Sequence, residues 1–306
     1  MTKKLNISIF GAGSLGQALA YLAATNKHQI KIYDTNPSQI RKITRNPKFK
    51  SFKNISFLEK KNQELYDADL IIPCIPSQAI KKFYQELSSQ QYSRKILSIT
   101  KGFYPKSHST ISQSTKGIIS PKNFIVSSGP NFADEIINHA PTQTVVASSN
   151  ATNFSLIKKV LETNFFHIQT TKKIIPTEIS GILKNCYSIT LGMVDHATHS
   201  MNARATTICR ILDEINPLFT KIKAGEFTHS ITFLGDLIAT GFNPHSRNYR
   251  CGYLLKKDKK TTTEGIDNIK PAIAFAKQHK VDLKILKQTE KIINHQHKPA
   301  KIMKLI

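Results

Sequence analysis

Short apolar runs recur through the first half of the chain, at LNISIF (5–10), HQIKIYD (28–34), DLIIPCI (69–75), KILSIT (95–100) and FIVSSG (124–129). Each is of strand length and rich in Ile, Leu or Val, and each ends close to a Gly, Pro, Ser or Asp. Helix-like segments lie between them: the Ala- and Leu-rich residues 14–24, a stretch from about residue 38, and QAIKKFYQEL (78–87). Nearly continuous apolar strands that alternate with helices predict a parallel sheet covered on both faces.

Beyond about residue 172 the pattern changes. In TEISGILKNCYSITLGMV (177–194), Ile179, Ile182, Leu183, Cys186, Ile189 and Met193 fall at helical spacing. ARATTICRILDEI (203–215) and AIAFAKQHK (272–280) also read as helices, and strand-like runs become rare. The predicted architecture is α/β: a doubly wound N-terminal domain over residues 1–171 and an all-helical C-terminal domain over 172–306. No internal repeat or low-complexity linker interrupts it.

Composition narrows this little. A chain of 306 residues suits two domains, and no apolar stretch approaches the roughly 20 residues that span a bilayer. The N-terminus lacks a long apolar region with a cleavage site, so no signal peptide is expected. Cys74, Cys186, Cys209 and Cys251 are dispersed and form no CxxC pair. That argues against a metal site or a disulfide framework and fits a reducing cytoplasm.

Charge changes the picture more. Forty-four Lys and Arg against 20 Asp and Glu leave a net +24, a field that draws nucleic acid, acidic lipid or a phosphorylated metabolite. Many of these lysines sit in solvated stretches such as residues 256–260. No RNA-binding, zinc-finger or helix-turn-helix signature accompanies them, so no specific nucleic-acid partner is expected.

The candidate chemistry collects where the strands end, as it does in open parallel sheets. After the first strand come Gly11, Gly13 and Gly16 of NISIFGAGSLG (6–16). This spacing alone fits either a phosphate-cradling turn or an ordinary glycine-rich loop. Asp34 ends the second strand, 18 residues past Gly16, about where a carboxylate accepts the adenosine ribose hydroxyls. Strand, glycines, helix and Asp34 together predict a Rossmann-type site for NAD. Later strands run into Pro76-Ser77, into Lys101-Gly102, and into Gly129-Pro130-Asn131-Phe132-Ala133. These turns predict a pocket that takes the dinucleotide and an anionic substrate.

The chain resembles the bacterial NAD(P)-dependent sn-glycerol-3-phosphate dehydrogenases. The shared pieces are GAGSLGQALA (11–20), ADLIIPCIPSQA (68–79), TKGF (100–103), SGPNFADEI (128–136) and APTQTVVAS (140–148). They continue through EISGILKNCYSI (178–189), NARATTICR (202–210), GDLIAT (235–240), HSRNYRCG (245–252) and TTTEG (261–265), in the family's order. The resemblance implies reversible reduction of dihydroxyacetone phosphate to sn-glycerol 3-phosphate, which feeds phospholipid synthesis, in a cytoplasmic homodimer that uses NAD or NADP. It implies Lys184 as general acid/base with Asp236 beside the reacting hydroxyl. Lys101, Gly129, Asn131, Lys184, Asp236, Ser246, Arg247 and Asn248 would hold the phosphorylated substrate. Ser14, Leu15, Lys101, Ala133, Arg247 and Glu264 would touch the cofactor, beside the glycine turn.

The residue types suit those roles. Hydride delivery leaves negative charge on the carbonyl oxygen, which an ammonium stabilises and protonates. Burial and the charge of Lys101 would lower the pKa of Lys184. Arg247 can fork two donors onto a phosphate. Asp34 stands where many relatives carry an arginine, so NADH is expected to be preferred over NADPH. This chain also departs from the family. Leu15 replaces an aromatic residue, Asn131 a serine and Met201 an acidic residue, and the approach to Asp236 is shortened to ITFLGDL (231–237). Two other functions fit less of the chain: a nicotinamide-dependent reductase of another small keto or hydroxy acid, and a non-catalytic basic paralogue that binds nucleic acid.

Overall fold

A computed structural model describes residues 4–255 and 263–305. The lysines of 256–260 and the first two threonines of TTTEG lie outside the described residues. The chain forms two compact units. One runs to Thr100 and resumes over Ser112–Ile174; the other comprises Lys101–Ile111 and the chain from Ile175 onward.

The first unit is built on eight strands: β1 (Asn6–Phe10), β2 (Gln29–Tyr33), β3 (Ile55–Leu58), β4 (Leu70–Pro73), β5 (Lys95–Ser98), β6 (Phe124–Ser128), β7 (Thr142–Ser148) and β8 (Phe166–Thr171). They order as β3-β2-β1-β4-β5-β6-β7-β8. Ile7, Ile9, Ile30, Ile32 and Leu70–Ile72 are buried, as both-face coverage requires. The sheet is not wholly parallel as expected, because β7 returns antiparallel to β6. Strands β3 and β8 lie at the two edges, where Ser56, His167 and Gln169 reach solvent. Half-exposed strands of this kind escape a search for continuous apolar runs. The order reverses between β1 and β4, which opens a crevice beyond their carboxyl ends. The Ser14–Thr25 helix follows β1 and buries its small residues Gly16, Ala18, Ala20, Ala23 and Ala24.

The second unit is helical. Its axis is the Ile174–Thr198 helix, in which every residue from 176 to 194 is buried, the state of a helix enclosed on all sides. The Met201–Lys221, Asp236–Gly241, Arg247–Tyr253, Glu264–Gln278 and Lys284–Ile293 helices accompany it. Residues 101–111, expected with the sheet, group here instead. The Phe103 N–H donates to Asn268 Oδ1 at 2.9 Å, and the Phe103 ring packs on Phe275. The Arg247–Tyr253 helix meets the long helix backbone to backbone: a Cβ on Gly252 would stand 1.9 Å from the Ile189 carbonyl oxygen, and one on Gly192 would stand 2.2 Å from that of Tyr249. Among the described residues no helix is long and apolar enough to cross a membrane.

Candidate active site

In the first unit the three glycines are required for different reasons. Gly11 has φ +109°, and a Cβ there would lie 2.3 Å from the Cys74 carbonyl oxygen. A Cβ on Gly16 would lie 2.0 Å from the carbonyl oxygen of Gly11. The protein's own packing dictates both. Gly13 has an ordinary φ of −66°, and a Cβ there would meet nothing within 4 Å. Its missing side chain leaves room that the fold does not use, as a close-approaching pyrophosphate needs. Gly13 and Ser14 are exposed and Leu15 is half-buried. No side chain caps the helix that starts at Ser14, and its first turn holds no acidic residue. Its N–H groups and positive dipole end are therefore open to an anion without competition from a cap or a carboxylate in that turn. These residues fit a dinucleotide.

Asp34 ties the turn together. One carboxylate oxygen accepts the Ala12 N–H at 2.7 Å and the other accepts the Asn36 N–H at 2.8 Å. At the end of β6, Gly129 (φ +156°) turns the chain within 3.1 Å of the Gln143 carbonyl oxygen, measured from the Cβ it lacks. The Thr144 hydroxyl donates to the Ser128 carbonyl and so acts as acceptor toward Asn131, whose Nδ2 lies 3.0 Å away. Asn131 Oδ1 is then left buried without a hydrogen-bond partner. Where a serine hydroxyl can donate, this amide presents an acceptor. Ala133 opens the short Ala133–Ile137 helix and is half-buried.

In the second unit a polar cluster is sunk into the helical core. Lys184 Nζ donates to Asp236 Oδ1 at 2.8 Å and to Thr240 Oγ1 at 2.7 Å. Lys101 Nζ donates to the other carboxylate oxygen of Asp236 at 2.6 Å. Thr240 donates to Asp236 Oδ1 at 3.2 Å. Lys184 is 6% exposed and Asp236 2%. Burial, reinforced by the charge of Lys101, lowers the Lys184 pKa to about 8 against the opposing pull of Asp236 and Glu264. Burial alone would raise the Asp236 pKa, but Lys101 and Lys184 outweigh it and hold the carboxyl below its usual range. The cluster is thus a doubly clamped carboxylate beside a weakened ammonium, the arrangement of a proton donor poised near neutrality.

A second network lies along the same helix. The Gly265 N–H donates to Asn248 Oδ1 (3.0 Å), Asn248 Nδ2 to Asn185 Oδ1 (2.9 Å), and Asn185 Nδ2 to Glu264 Oε2 (3.3 Å). Burial raises the Glu264 pKa, while Lys101, Arg247 and Lys184 lower it. A Cβ on Gly265 would come within 2.5 Å of the Asn185 carbonyl oxygen and 2.7 Å of Asn248 Oδ1, so only glycine fits. Ser246 caps the Arg247–Tyr253 helix, accepting the Tyr249 N–H at 3.4 Å, while Arg247 is exposed. Of the sequence-predicted residues, the second unit brings Lys101, Lys184 and Asp236 together and links Asn248 to Glu264. The first unit gathers the glycines with Asp34. Thr240 and Asn185 belong to these networks and were not singled out. Their one signal was position, Thr240 a helical turn after Asp236 and Asn185 adjoining Lys184. Among the described residues no cluster of His, Cys, Asp and Glu could hold a metal ion.

Comparison with known proteins bears on both units. The family models for the NAD-dependent glycerol-3-phosphate dehydrogenase N-terminus and C-terminus match residues 6–154 and 173–304. The NAD(P)+ glycerol-3-phosphate dehydrogenase of Francisella tularensis subsp. holarctica is 30% identical over 318 residues, covering 98% of this chain and 96% of its own. That of Bacillus pumilus is 30% identical over 91% and 87% of the two chains. In fold, the chain is similar to a glycerol-3-phosphate dehydrogenase from Coxiella burnetii, with a TM-score of 0.88 at 24% identity over 98% of each chain. A D-mandelate dehydrogenase solved with NADH shares the fold more distantly, with a TM-score of 0.60 at 15% identity over 99% of this chain and 100% of its own.

Proposed function

Because the chain belongs to the NAD-dependent glycerol-3-phosphate dehydrogenase family, we propose that it reversibly reduces dihydroxyacetone phosphate to sn-glycerol 3-phosphate with NADH or NADPH, for use in glycerophospholipid synthesis. The observation that carries this reading is the buried Lys184, hydrogen-bonded to Asp236 and Thr240 with its pKa lowered to about 8.

The reduced nicotinamide supplies the hydride. The Gly11–Gly13–Gly16 turn, Ser14, Leu15, Asp34 and Ala133 would hold the dinucleotide, and the family resemblance adds Lys101, Arg247 and Glu264 as residues that would touch it. Lys184 carries three N–H donors; Asp236 and Thr240 accept two, and the third would serve the substrate carbonyl oxygen. As negative charge builds on that oxygen, Lys184 stabilises it and gives up its proton. Asp236 keeps Lys184 protonated beforehand and orients it through fixed hydrogen bonds. Lys101 holds the far side of that carboxylate and draws the substrate anion. Arg247 forks onto the phosphate, and Ser246 and Asn248 fix the helix that presents it. By the family resemblance Gly129 and Asn131 would also touch the substrate, the unpartnered Asn131 Oδ1 accepting a hydroxyl.

Oxidation of NADH and NADPH by dihydroxyacetone phosphate, measured beside unphosphorylated dihydroxyacetone and a panel of keto acids, tests the reading. Turnover should be fast on the phosphorylated ketone, slow on unphosphorylated dihydroxyacetone and absent on the keto acids. Turnover of a keto acid with none on dihydroxyacetone phosphate would assign the chain to a different reductase. We further propose a cytoplasmic homodimer. The family resemblance is what supports it; light scattering of the purified protein should give twice the 34.4 kDa of one chain, and the mass of a single chain would refute the dimer.

A further inference from the structure

Building on the dinucleotide site of the preceding reading, we infer that this chain selects NADH over NADPH, and that Asp34 does so from a position locked by the glycine turn itself. An ionised carboxylate offers about four acceptor sites. Two are used, by Ala12 N–H and Asn36 N–H. One remains on each oxygen, the pair that the vicinal hydroxyls of a ribose can fill. A phosphate on one of those hydroxyls removes a donor and sets like charges against each other.

The surroundings offer that phosphate few partners. Asn36 N–H is taken by Asp34, Pro37 has no N–H, Ser38 N–H donates to Asn36 Oδ1, and Gln39 N–H donates to the Asn36 carbonyl. The Pro37–Arg45 helix therefore starts with its donors spent, unlike the uncapped helix after Gly13. Its Arg41 lies 3.6 Å from Glu59, which follows the neighbouring strand β3 and adds a second carboxylate at this edge. Lys61, over the Tyr33 ring, is paired with Glu86. Lys42 and Arg45 belong to the helix's last turn, away from its start.

The lock distinguishes this arrangement from a lone specificity residue. The same carboxylate closes the turn through Ala12, so removing its charge disturbs both cofactors and NADH the more. Dissociation constants of the purified full chain for NADH and NADPH, from quenching of nicotinamide fluorescence, test the inference independently of turnover. NADPH should bind at least about tenfold more weakly than NADH. Asp34→Asn should weaken NADH about tenfold or more and shrink the NADH-to-NADPH ratio by a similar factor. Arg41→Ala should leave the ratio within about threefold. Equal or tighter binding of NADPH by the wild type overturns the inference, as does a selective loss of NADPH in Arg41→Ala. The wild-type ratio and Arg41→Ala decide the matter if Asp34→Asn does not fold. NADH binding with the stated preference, but without reduction of dihydroxyacetone phosphate, would sink the proposed reaction and leave the preference standing.

Discussion

Replacing Asp236 by asparagine probes the central idea of the site, that one buried carboxylate sets the proton affinity of Lys184. In the wild type its two oxygens take Lys101 at 2.6 Å and Lys184 at 2.8 Å. The amide keeps one acceptor and turns the other position into a donor that faces an ammonium. Two inward-facing cations then lose their counter-charge, and breaking a buried pair in this way costs about 3–5 kcal/mol. Lys184 relieves part of that cost by releasing its proton. Its pKa, already lowered by burial and by Lys101 to about 8, must fall further.

Reduction of the ketone needs the protonated amine. Wild-type kcat/KM should therefore be level below about pH 8 and decline above it, and oxidation of glycerol 3-phosphate should show the opposite limb. In Asp236→Asn the alkaline limb of reduction should move to lower pH, and kcat at neutral pH should fall by about 10²–10⁴-fold as the general acid is lost. NADH affinity, read by fluorescence, should change little. Asp236→Glu restores the charge at a different reach, so it should return the limb toward the wild-type position while recovering only part of kcat. An unmoved limb in Asp236→Asn would show that Lys184 does not titrate under Asp236's control.

Lys184→Met should remove the pH dependence that Lys184 confers on stability. The folded pKa of about 8 lies below the ordinary lysine value of 10.5, so the unfolded chain binds this proton more tightly and folding stability gains ~3 kcal/mol as pH rises from about 8 toward 10.5. Urea titrations of wild type and variant should diverge across that window. Thr240→Val takes one partner from both Lys184 and Asp236; kcat should drop about tenfold with KM for the ketone nearly unchanged. Gly265→Ala forces the Asn185–Asn248 network apart and should cost about 1–3 kcal/mol in stability by thermal melting, with an unchanged melting temperature counting against the tight fit. Arg247→Ala should lower kcat/KM for dihydroxyacetone phosphate at least about tenfold while sparing the slow reaction of unphosphorylated dihydroxyacetone; equal losses on both would move the phosphate contact elsewhere.

What the sequence disclosed depended on how local each cause was. The glycine turn is local, because strand, turn and helix are contiguous and Gly11 and Gly16 are fixed by contacts within a few residues or with the adjacent strand. Lys184 stood out as a cation in an otherwise apolar helical face. Lys101 reaches Asp236 across 135 residues, and no spacing rule reports such a pairing. The same holds for Phe103 and Asn268, which draw residues 101–111 out of the sheet unit. Edge strand β8 alternates between buried and exposed positions over its first four residues, and its apolar content falls below that of β1 or β4. Edge strand β3 is only four residues long and fully buries Ile55 alone, with Ser56 breaking its apolar run. Thr240 shows a middle case. Its four-residue offset from Asp236 puts both on one helical face, but a threonine in a helix more often bonds its own backbone, as Thr198 and Thr207 do here.

The shortened approach to Asp236 shows how a departure in sequence can be absorbed. Residues Ile231–Gly235 form a π-helical turn in which the Gly235 N–H donates back to the Ser230 carbonyl at 3.3 Å. The wider turn carries five residues directly into the start of the Asp236–Gly241 helix. Phe233 fixes it from within, its ring edge-on to Tyr187 at 6.5 Å and to Phe219 at 5.7 Å. Tyr187 lies one helical turn beyond Lys184, so the anchor of the π turn and Lys184 share one helix. Gly235 is not what allows this. A Cβ there would meet only the Ile231 side chain at 3.3 Å, which can yield by a few tenths of an ångström. The placement of Asp236 therefore rests on the aromatic anchor and the length of the turn.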